Sequence, residues 1–160
     1  MIKLYKQVDK DMWYWETWDK DEKTRIVHWG IVGHRGQAKE IKSSLFSNFR
    51  KTIQKEIDQK LNEGYAEFNK DDYSFLEIEY VIVGFGTEED LDKRHRLEDK
   101  MDQVLGWTGL GHTNGGSIGS GTMEVGCLVV DFEIAKKVVE ENLKNTEFSN
   151  YSRIFKMNED

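Results

Sequence analysis

The sequence of 160 residues contains a single cysteine and no proline. One thiol, Cys127, cannot form an internal disulfide, and a cysteine-based zinc site requires more sulfur ligands than it offers. Because proline is absent, the turns must depend on glycine, asparagine and aspartate. The lack of cysteine pairs favours a protein of a reducing compartment, and the cytoplasm is the predicted location.

Long apolar runs are also missing. No stretch approaches the roughly 18–20 apolar residues that a membrane-spanning helix needs. Residues 1–6 contain neither an apolar core nor a small-residue cleavage site, so they give no indication of a secretory signal. The sequence therefore predicts no membrane partner, and its 33% charged residues are typical of a globular protein.

Charge is distributed unevenly along the chain. Through Asp72 there are 14 Lys and Arg against 13 Asp and Glu, and from Tyr73 onward there are 9 against 17. The net charge of −7 is thus divided into +1 and −8. This break predicts one domain over residues 1–70 and a second over residues 73–160. Because phosphate repels the acidic half, any nucleic acid is expected at the first domain.

The first half has the pattern of a small antiparallel meander followed by one helix. β-prone residues predict strands over residues 2–8, 12–18, 24–32 and 37–42. Ser43 or Ser44 is expected to cap the helix, and Gly64 is expected to end it. Its apolar face follows spacings of three and four and consists of Phe46, Phe49, Ile53, Ile57 and Leu61.

The second half alternates strand and helix patterns. Thr87 and Asp131 are expected to cap two helices, and strands are predicted over residues 75–84, 122–130 and 151–155. With residues 107–112 taken as a further strand, the order is βαββαβ, the ferredoxin-like arrangement. The fold class predicted for the whole chain is therefore α+β. The glycine-rich segment 106–121 is expected to be mainly a flexible turn between two strands.

The order and spacing of several tryptophan and glycine residues in the first half resemble a known family. The matching residues cover about residues 1–68 and are Trp15 and Trp18, the segment Trp29-Gly30-Ile31-Val32-Gly33, the pair Gly36-Gln37 and, after a lysine-rich helix, Gly64-Tyr65. With this pattern the first half is similar to the WGR domain, which is named for a Trp-Gly-Arg motif.

The resemblance implies a small binding module. In poly(ADP-ribose) polymerases the WGR domain helps to hold a DNA break, with the tryptophan and the arginine of the motif at the nucleic-acid surface. Ile31 stands here in place of that arginine, which removes a bidentate partner for phosphate. The second half is similar only in style to small ferredoxin-like domains of bacterial proteins.

A hairpin with aromatic and basic residues is the candidate binding site of the first half. A base or sugar can stack on Trp29, and Arg35 at the tip of a glycine-bracketed turn can replace the missing motif arginine. The alternative is that Trp29 belongs to the core and its neighbours are ordinary surface residues. The predicted binding residues, with His28 beside them, are Trp29, Gly30, His34, Arg35 and Lys39.

The glycine-rich segment is the second candidate, because glycine lets backbone amides approach a phosphate closely. Its candidate residues are Gly111, His112, Asn114, Gly116 and Ser117, yet it matches neither the dinucleotide fingerprint nor the P-loop. A serine nucleophile, Ser117 or Ser120, with His112 as base and Glu124 as orienting group can be imagined. The Gly-x-Ser-x-Gly elbow is missing, so no catalytic residue, metal site or cofactor is predicted.

Two further sets of residues suggest surfaces for a partner. Trp13, Trp15 and Trp18 are too many indoles for one face of a small sheet, so at least one is expected at the surface or at an interface. In the ferredoxin-like arrangement the first and third strands pair, which would place three carboxylates on the face that the helices leave bare: Glu77, Glu79 and Glu124. Such a face can receive a basic partner or the first domain, or it is simply solvated.

The sequence therefore predicts two α+β modules that form a non-enzymatic binding or interaction protein, with a protein as its partner. Nucleic-acid binding, to DNA ends or RNA through the hairpin of residues 29–35, is the alternative. A small hydrolase or transferase that uses the glycine-rich segment is the second alternative.

Overall fold

Alternating strand patterns in both halves of the sequence produce two separate sheets. In the computed structural model, which describes residues 1–44 and 49–157, the chain forms two antiparallel four-stranded sheets and three α-helices. This confirms the predicted α+β class. Contacts within the chain divide it into two units, residues 1–69 and 70–160. Among the described residues, no helix is long and apolar enough to cross a membrane.

The first unit contains an antiparallel meander in which every strand pairs with its neighbour in sequence. Its strands, in sheet order, are β1 (Ile2–Val8), β2 (Asp11–Asp19), β3 (Thr24–Ile31) and β4 (Gln37–Lys42). In the register of β2 and β3, Trp15 lies opposite Trp29 and Glu16 lies opposite His28. Because side chains alternate between the two faces of a strand, the tryptophans share one face and the polar pair shares the other.

Helix α1 (Phe49–Asn62) covers the tryptophan face of this sheet. Ile53 and Ile57 are buried against Leu4 and Trp15, as the apolar spacing predicted, whereas Leu61 in the last turn is 49% exposed. The predicted end of the helix at Gly64 is confirmed. Its φ is +90°, and N–H groups of residues 64 and 65 donate to the carbonyls of residues 61 and 60. These two bonds form a Schellman motif.

The predicted start of this helix falls partly outside the described residues. Phe46, which was predicted on its apolar face, lies outside the described residues. Ser43 and Ser44, the expected caps, lie before the described helix. The Oγ of Ser43 accepts a hydrogen bond from the backbone N–H of Phe49 at 3.3 Å.

The second unit has the element order βαββαβ. Its elements are β5 (Ser74–Val81), α2 (Glu88–Trp107), β6 (Gly111–Gly119), β7 (Thr122–Val129), α3 (Phe132–Leu143) and β8 (Arg153–Met157). The sheet order is β6-β7-β5-β8, and all neighbours are antiparallel. The predicted caps are confirmed: Thr87 forms a reciprocal capping box with Asp90, and Asp131 accepts from the N–H of Ile134.

Both helices of this unit pack on the same face of the sheet. Leu97, Met101 and Leu105 of α2 and Ala135, Val139 and Leu143 of α3 are buried. On the sheet, the buried residues alternate as this packing requires, and they include Leu76, Ile78, Tyr80, Met123, Val125, Cys127 and Val129. The opposite face therefore carries no helix of the second unit.

The expectation of a flexible glycine-rich turn is wrong. Trp107 ends α2, so residues 107–112 are not the strand, and β6 lies within the glycine-rich segment itself. A bulge between Thr113 and Gly116 interrupts its pairing with β7. Ser120 and Gly121 then form a two-residue hairpin turn with φ of +54° and +92°, as a type I′ turn requires.

Close backbone approach explains at least one of these glycines. A Cβ atom added at Gly111 would lie 1.9 Å from the carbonyl oxygen of Leu128 on β7. Gly106, in the last turn of α2, has nothing within 4 Å of an added Cβ. The same residue type thus has a packing role at one position and none at the other.

Gly111→Ala should lower the free energy of unfolding by about 2–3 kcal/mol, because the new methyl group must push the β6 and β7 backbones apart. Gly106→Ala is the matched control and should raise it by up to about 1 kcal/mol, because alanine is the better helix former. Urea denaturation followed by circular dichroism measures both. Equal and small effects would contradict the pairing of β6 with β7.

Candidate functional site

A cleft of 380 Å³ lies beside helix α1 on the tryptophan face of the first sheet. Strand alternation places Trp13, Trp15 and Trp29 on this face. Trp15 is buried in the core, whereas Trp13 and Trp29 are half-buried and present ring surface to the cleft. Among the described residues, the lining consists of Trp13, Tyr14, Trp15, Val27, Trp29, Lys39, Glu56, Gln59, Lys60 and Tyr65.

Lysine ammonium groups lie close to the aromatic rings of this cleft. Lys39 Nζ is 6.0 Å from the centroid of Trp29, and Lys60 Nζ is 5.0 Å from the centroid of Tyr65. Each lysine also has a carboxylate partner: Glu56 Oε1 is 2.8 Å from Lys39 Nζ, and Glu63 Oε2 is 2.7 Å from Lys60 Nζ. The cleft therefore combines flat aromatic surface with positive charges that are partly balanced.

The structure brings some of the predicted hairpin residues together and separates others. Trp29 and Lys39 meet at the cleft, but His28 does not join them, because it points to the opposite face of β3 and is 1% exposed. The expected patch of Trp29 with His28 is therefore wrong. Both His34 and Arg35 are exposed in the turn that follows β3.

The face opposite the cleft contains a buried polar chain that the sequence pattern did not reveal. His28 Nδ1 lies 2.7 Å from Glu16 Oε1, and His28 Nε2 lies 3.2 Å from the hydroxyl of Tyr14. Glu16 Oε2 is 3.4 Å from Lys3 Nζ. Burial, and after it the charge of Glu16, raises the pKa of Tyr14, and burial lowers the pKa of Lys3. A Tyr-x-Glu spacing on β2 opposite a histidine on β3 is the only sequence signal.

This polar chain packs against the turn of residues 33–36, which carries the exposed His34 and Arg35. A Cβ atom added at Gly36 would lie 2.0 Å from the Tyr14 hydroxyl and 2.5 Å from His28 Nε2. At Gly30, another predicted site residue, an added Cβ would lie 3.0 Å from the Cα atom of Gly36. The two glycines therefore allow close contact between the turn and the strand, and they offer no side chain to a ligand.

The glycine-rich segment does not assemble the imagined catalytic group. Ser117 donates a hydrogen bond to Glu124, its register partner on β7. His112 is opposite Leu128 instead, and four residues of strand correspond to about 13 Å. Its ring contacts Tyr73, at a centroid distance of 6.3 Å. His112 therefore does not join Ser117 and Glu124.

The remaining predicted residues of the glycine-rich segment either pack against neighbouring elements or are exposed. Gly111 and Gly116 pack closely on β7, since a Cβ atom at Gly116 would lie 2.3 Å from the carbonyl oxygen of Glu124. The Gly116 carbonyl accepts a hydrogen bond from Arg94 at 2.7 Å. Asn114 lies exposed in the bulge. The segment thus forms an edge strand held from two sides.

The predicted acidic face of the second sheet is present. In the register of β5 and β7, Glu79 lies directly opposite Glu124, and Glu77 shares their face. The Glu79 carboxylate binds Arg153 through two hydrogen bonds of 2.9 and 2.7 Å. Partial burial raises the pKa of Glu77, and the charges of Glu124 and Glu79 raise it further.

Within residues 1–44 and 49–157, no group of His, Cys, Asp and Glu side chains could hold a metal ion. Comparison with family models, with curated proteins and with solved structures finds no match for the chain. The resemblance of residues 1–68 to the WGR domain therefore stays a prediction.

His28→Ala should lower the free energy of unfolding by about 3 kcal/mol, because Glu16 and Tyr14 both lose a buried partner. His34→Ala, at an exposed position six residues further along the chain, is the control and should change it by less than about 0.5 kcal/mol. Chemical denaturation measures both variants. Similar losses for the two would show that the buried chain does not stabilise the unit.

Proposed function

We propose that the protein is a non-enzymatic binding protein built on a WGR-like module, and that its cleft receives an extended segment of a partner protein. The observation that carries this proposal is the cleft itself, with half-buried Trp13, Trp29 and Tyr65 in its wall. Rigid aromatic side chains lose little conformational entropy on binding and are the residues most often found as anchors in interfaces.

The polar groups of the cleft also fit a peptide. Gln59 offers an amide that both donates and accepts hydrogen bonds, and Lys39 and Lys60 offer ammonium donors whose charges are partly balanced by carboxylates. The arrangement therefore supports recognition.

Site-specific photo-crosslinking tests this function. A benzophenone amino acid in place of Trp13 should yield a discrete protein adduct in the source cell, because position 13 borders the cleft. The same amino acid in place of Lys55, exposed on the outer side of α1, is the control and should not yield it. Trp29→Phe keeps core packing but removes the indole, and it should weaken the adduct. An identical adduct from positions 13 and 55 would refute the proposal.

Nucleic acid is the second candidate ligand, and one observation favours it. Three ammonium groups approach two rings of the cleft, since Lys6 Nζ also lies 5.8 Å from the centroid of Tyr65. Bases of a single strand can stack on such rings while lysines contact its phosphates. The ion pairs with Glu56 and Glu63 weaken this attraction, so the peptide remains the leading proposal.

Binding of a fluorescent deoxythymidine oligonucleotide at several salt concentrations examines the second candidate. If it is correct, Lys39→Gln and Lys60→Gln should each reduce the slope of log K against log salt by about 0.7, because each removes one phosphate contact. Lys55→Gln, on the outer side of α1, should leave the slope nearly unchanged. Absence of binding at low salt would remove nucleic acid and leave the peptide proposal intact.

A further inference from the structure

The face of the second sheet that lies opposite α2 and α3 carries charged and apolar side chains side by side. Because Leu76, Ile78 and Tyr80 of the central strand β5 are buried on the helix side, Phe75, Glu77 and Glu79 point to the other side. The aligned positions of β7 and β8 add further polar and apolar side chains to this face, namely Glu124, Leu128, Arg153, Phe155 and Met157.

An ion pair between Arg153 and Glu79 shows that this face can bind a guanidinium group. The guanidinium of Arg153 binds both carboxylate oxygens of Glu79, and its carbon lies 4.1 Å from the ring centroid of Phe155. A planar cation is thus held by a carboxylate and an aromatic ring together. Planar stacking with bidentate hydrogen bonding is a property of arginine that lysine does not share.

Glu77 is a second carboxylate of this face, and it has an aromatic neighbour but, within the described part of the chain, no bound guanidinium. It lies two residues from Glu79 on the central strand, on the same face as Glu79 and Glu124, and in register it is opposite Phe155. Among the described residues, its carboxylate has no hydrogen bond or ion pair. Glu79 and Glu124, in contrast, are bound by Arg153 and Ser117. A further guanidinium would therefore relieve the repulsion that surrounds Glu77.

Apolar side chains surround the carboxylate. The ring of Phe75 lies over Gly126, where an added Cβ would be 2.4 Å from Cζ of that ring. Met157 is 44% exposed, and Leu128 and Phe155 are half-buried. Aromatic and aliphatic groups are typical of an interface centre, and their exclusion of water strengthens a charged hydrogen bond beside them.

We propose that this face docks a segment of a partner protein that presents an arginine, flanked by apolar side chains, to Glu77 and Glu124. Charge complementarity selects this occupant, because the second half of the chain carries a net charge of −8. The same charge disfavours nucleic acid and anionic lipid. The surface is formed by residues of the second unit and the aromatic cleft by residues of the first, so this proposal does not rest on the function proposed for the cleft.

A peptide titration of the full chain tests the proposal. The probe is a capped Leu-Arg-Phe-Arg-Leu peptide, and Leu-Glu-Phe-Glu-Leu is its charge-reversed control. In 15N-labelled protein, the arginine peptide should shift the amide resonances of β5, β7 and β8. Glu77→Gln should weaken its binding about tenfold, the loss expected for one hydrogen bond to a charged group. Glu133→Gln, exposed at the start of α3, should leave it unchanged.

The thermal stability of Glu77→Gln shows whether this variant folds. Glu77→Gln removes a half-buried carboxylate from a group of like charges, so its thermal midpoint should equal or exceed that of the original protein. Three results would overturn the proposal. They are equal binding of the two peptides, absence of shifts in β5, β7 and β8, and a concentration-dependent dimer whose formation broadens those resonances, because a second copy would then cover the face.

Discussion

The register of antiparallel strand pairing decides which side chains meet in each unit of this protein. In the first unit one register places Trp15 opposite Trp29 and, one residue further, Glu16 opposite His28. A slip of one residue would exchange the two faces and bring the polar chain against helix α1. In the second unit the pairing of β5 with β7 puts Glu79 opposite Glu124. Both candidate surfaces therefore depend on backbone pairing between strands, one in each unit.

The buried polar chain of Lys3, Tyr14, Glu16 and His28 is compatible with a stable sheet because its members bond to one another. The backbone N–H of Gly36 donates to the Tyr14 oxygen, and the Tyr14 hydroxyl can then donate to Nε2 of His28. This order leaves the proton of the imidazole on Nδ1, which donates to Glu16, and Lys3 donates to the other carboxylate oxygen. Each member has a partner, so burial does not leave a polar group unsatisfied. The turn of residues 33–36 also packs on this polar chain, because Gly36 approaches the Tyr14 hydroxyl closely.

Local patterns in the sequence predicted most of the elements, and contacts between distant segments account for the rest. Strand alternation, the caps Thr87 and Asp131 and the terminating Gly64 are determined by a few neighbouring residues, and the structure contains them. Glu77, Glu79 and Glu124 were placed together because an expected topology brought their strands side by side. The prediction failed at residues 111–119, where glycine was read as flexibility although at Gly111 it permits the close approach of Leu128 on another strand. The roles of Tyr14 and Glu16 were missed for a similar reason, since each depends on a partner from a different strand.

Both candidate surfaces contain aromatic rings, but the charged groups beside the rings are lysines in the cleft and glutamates on the second sheet. This difference affects which ligands each surface favours. In the cleft, Lys39 and Lys60 already approach the faces of Trp29 and Tyr65, so a ligand that brings a cation would compete with them. On the helix-free face of the second sheet, Glu77 has a ring beside it in register, and no cation among the described residues forms an ion pair with it. A basic segment is thus disfavoured at the first surface and favoured at the second, while an anionic ligand has the reverse preference. The charge preferences of the two proposed surfaces are therefore opposite, which would let one chain discriminate between two different ligands.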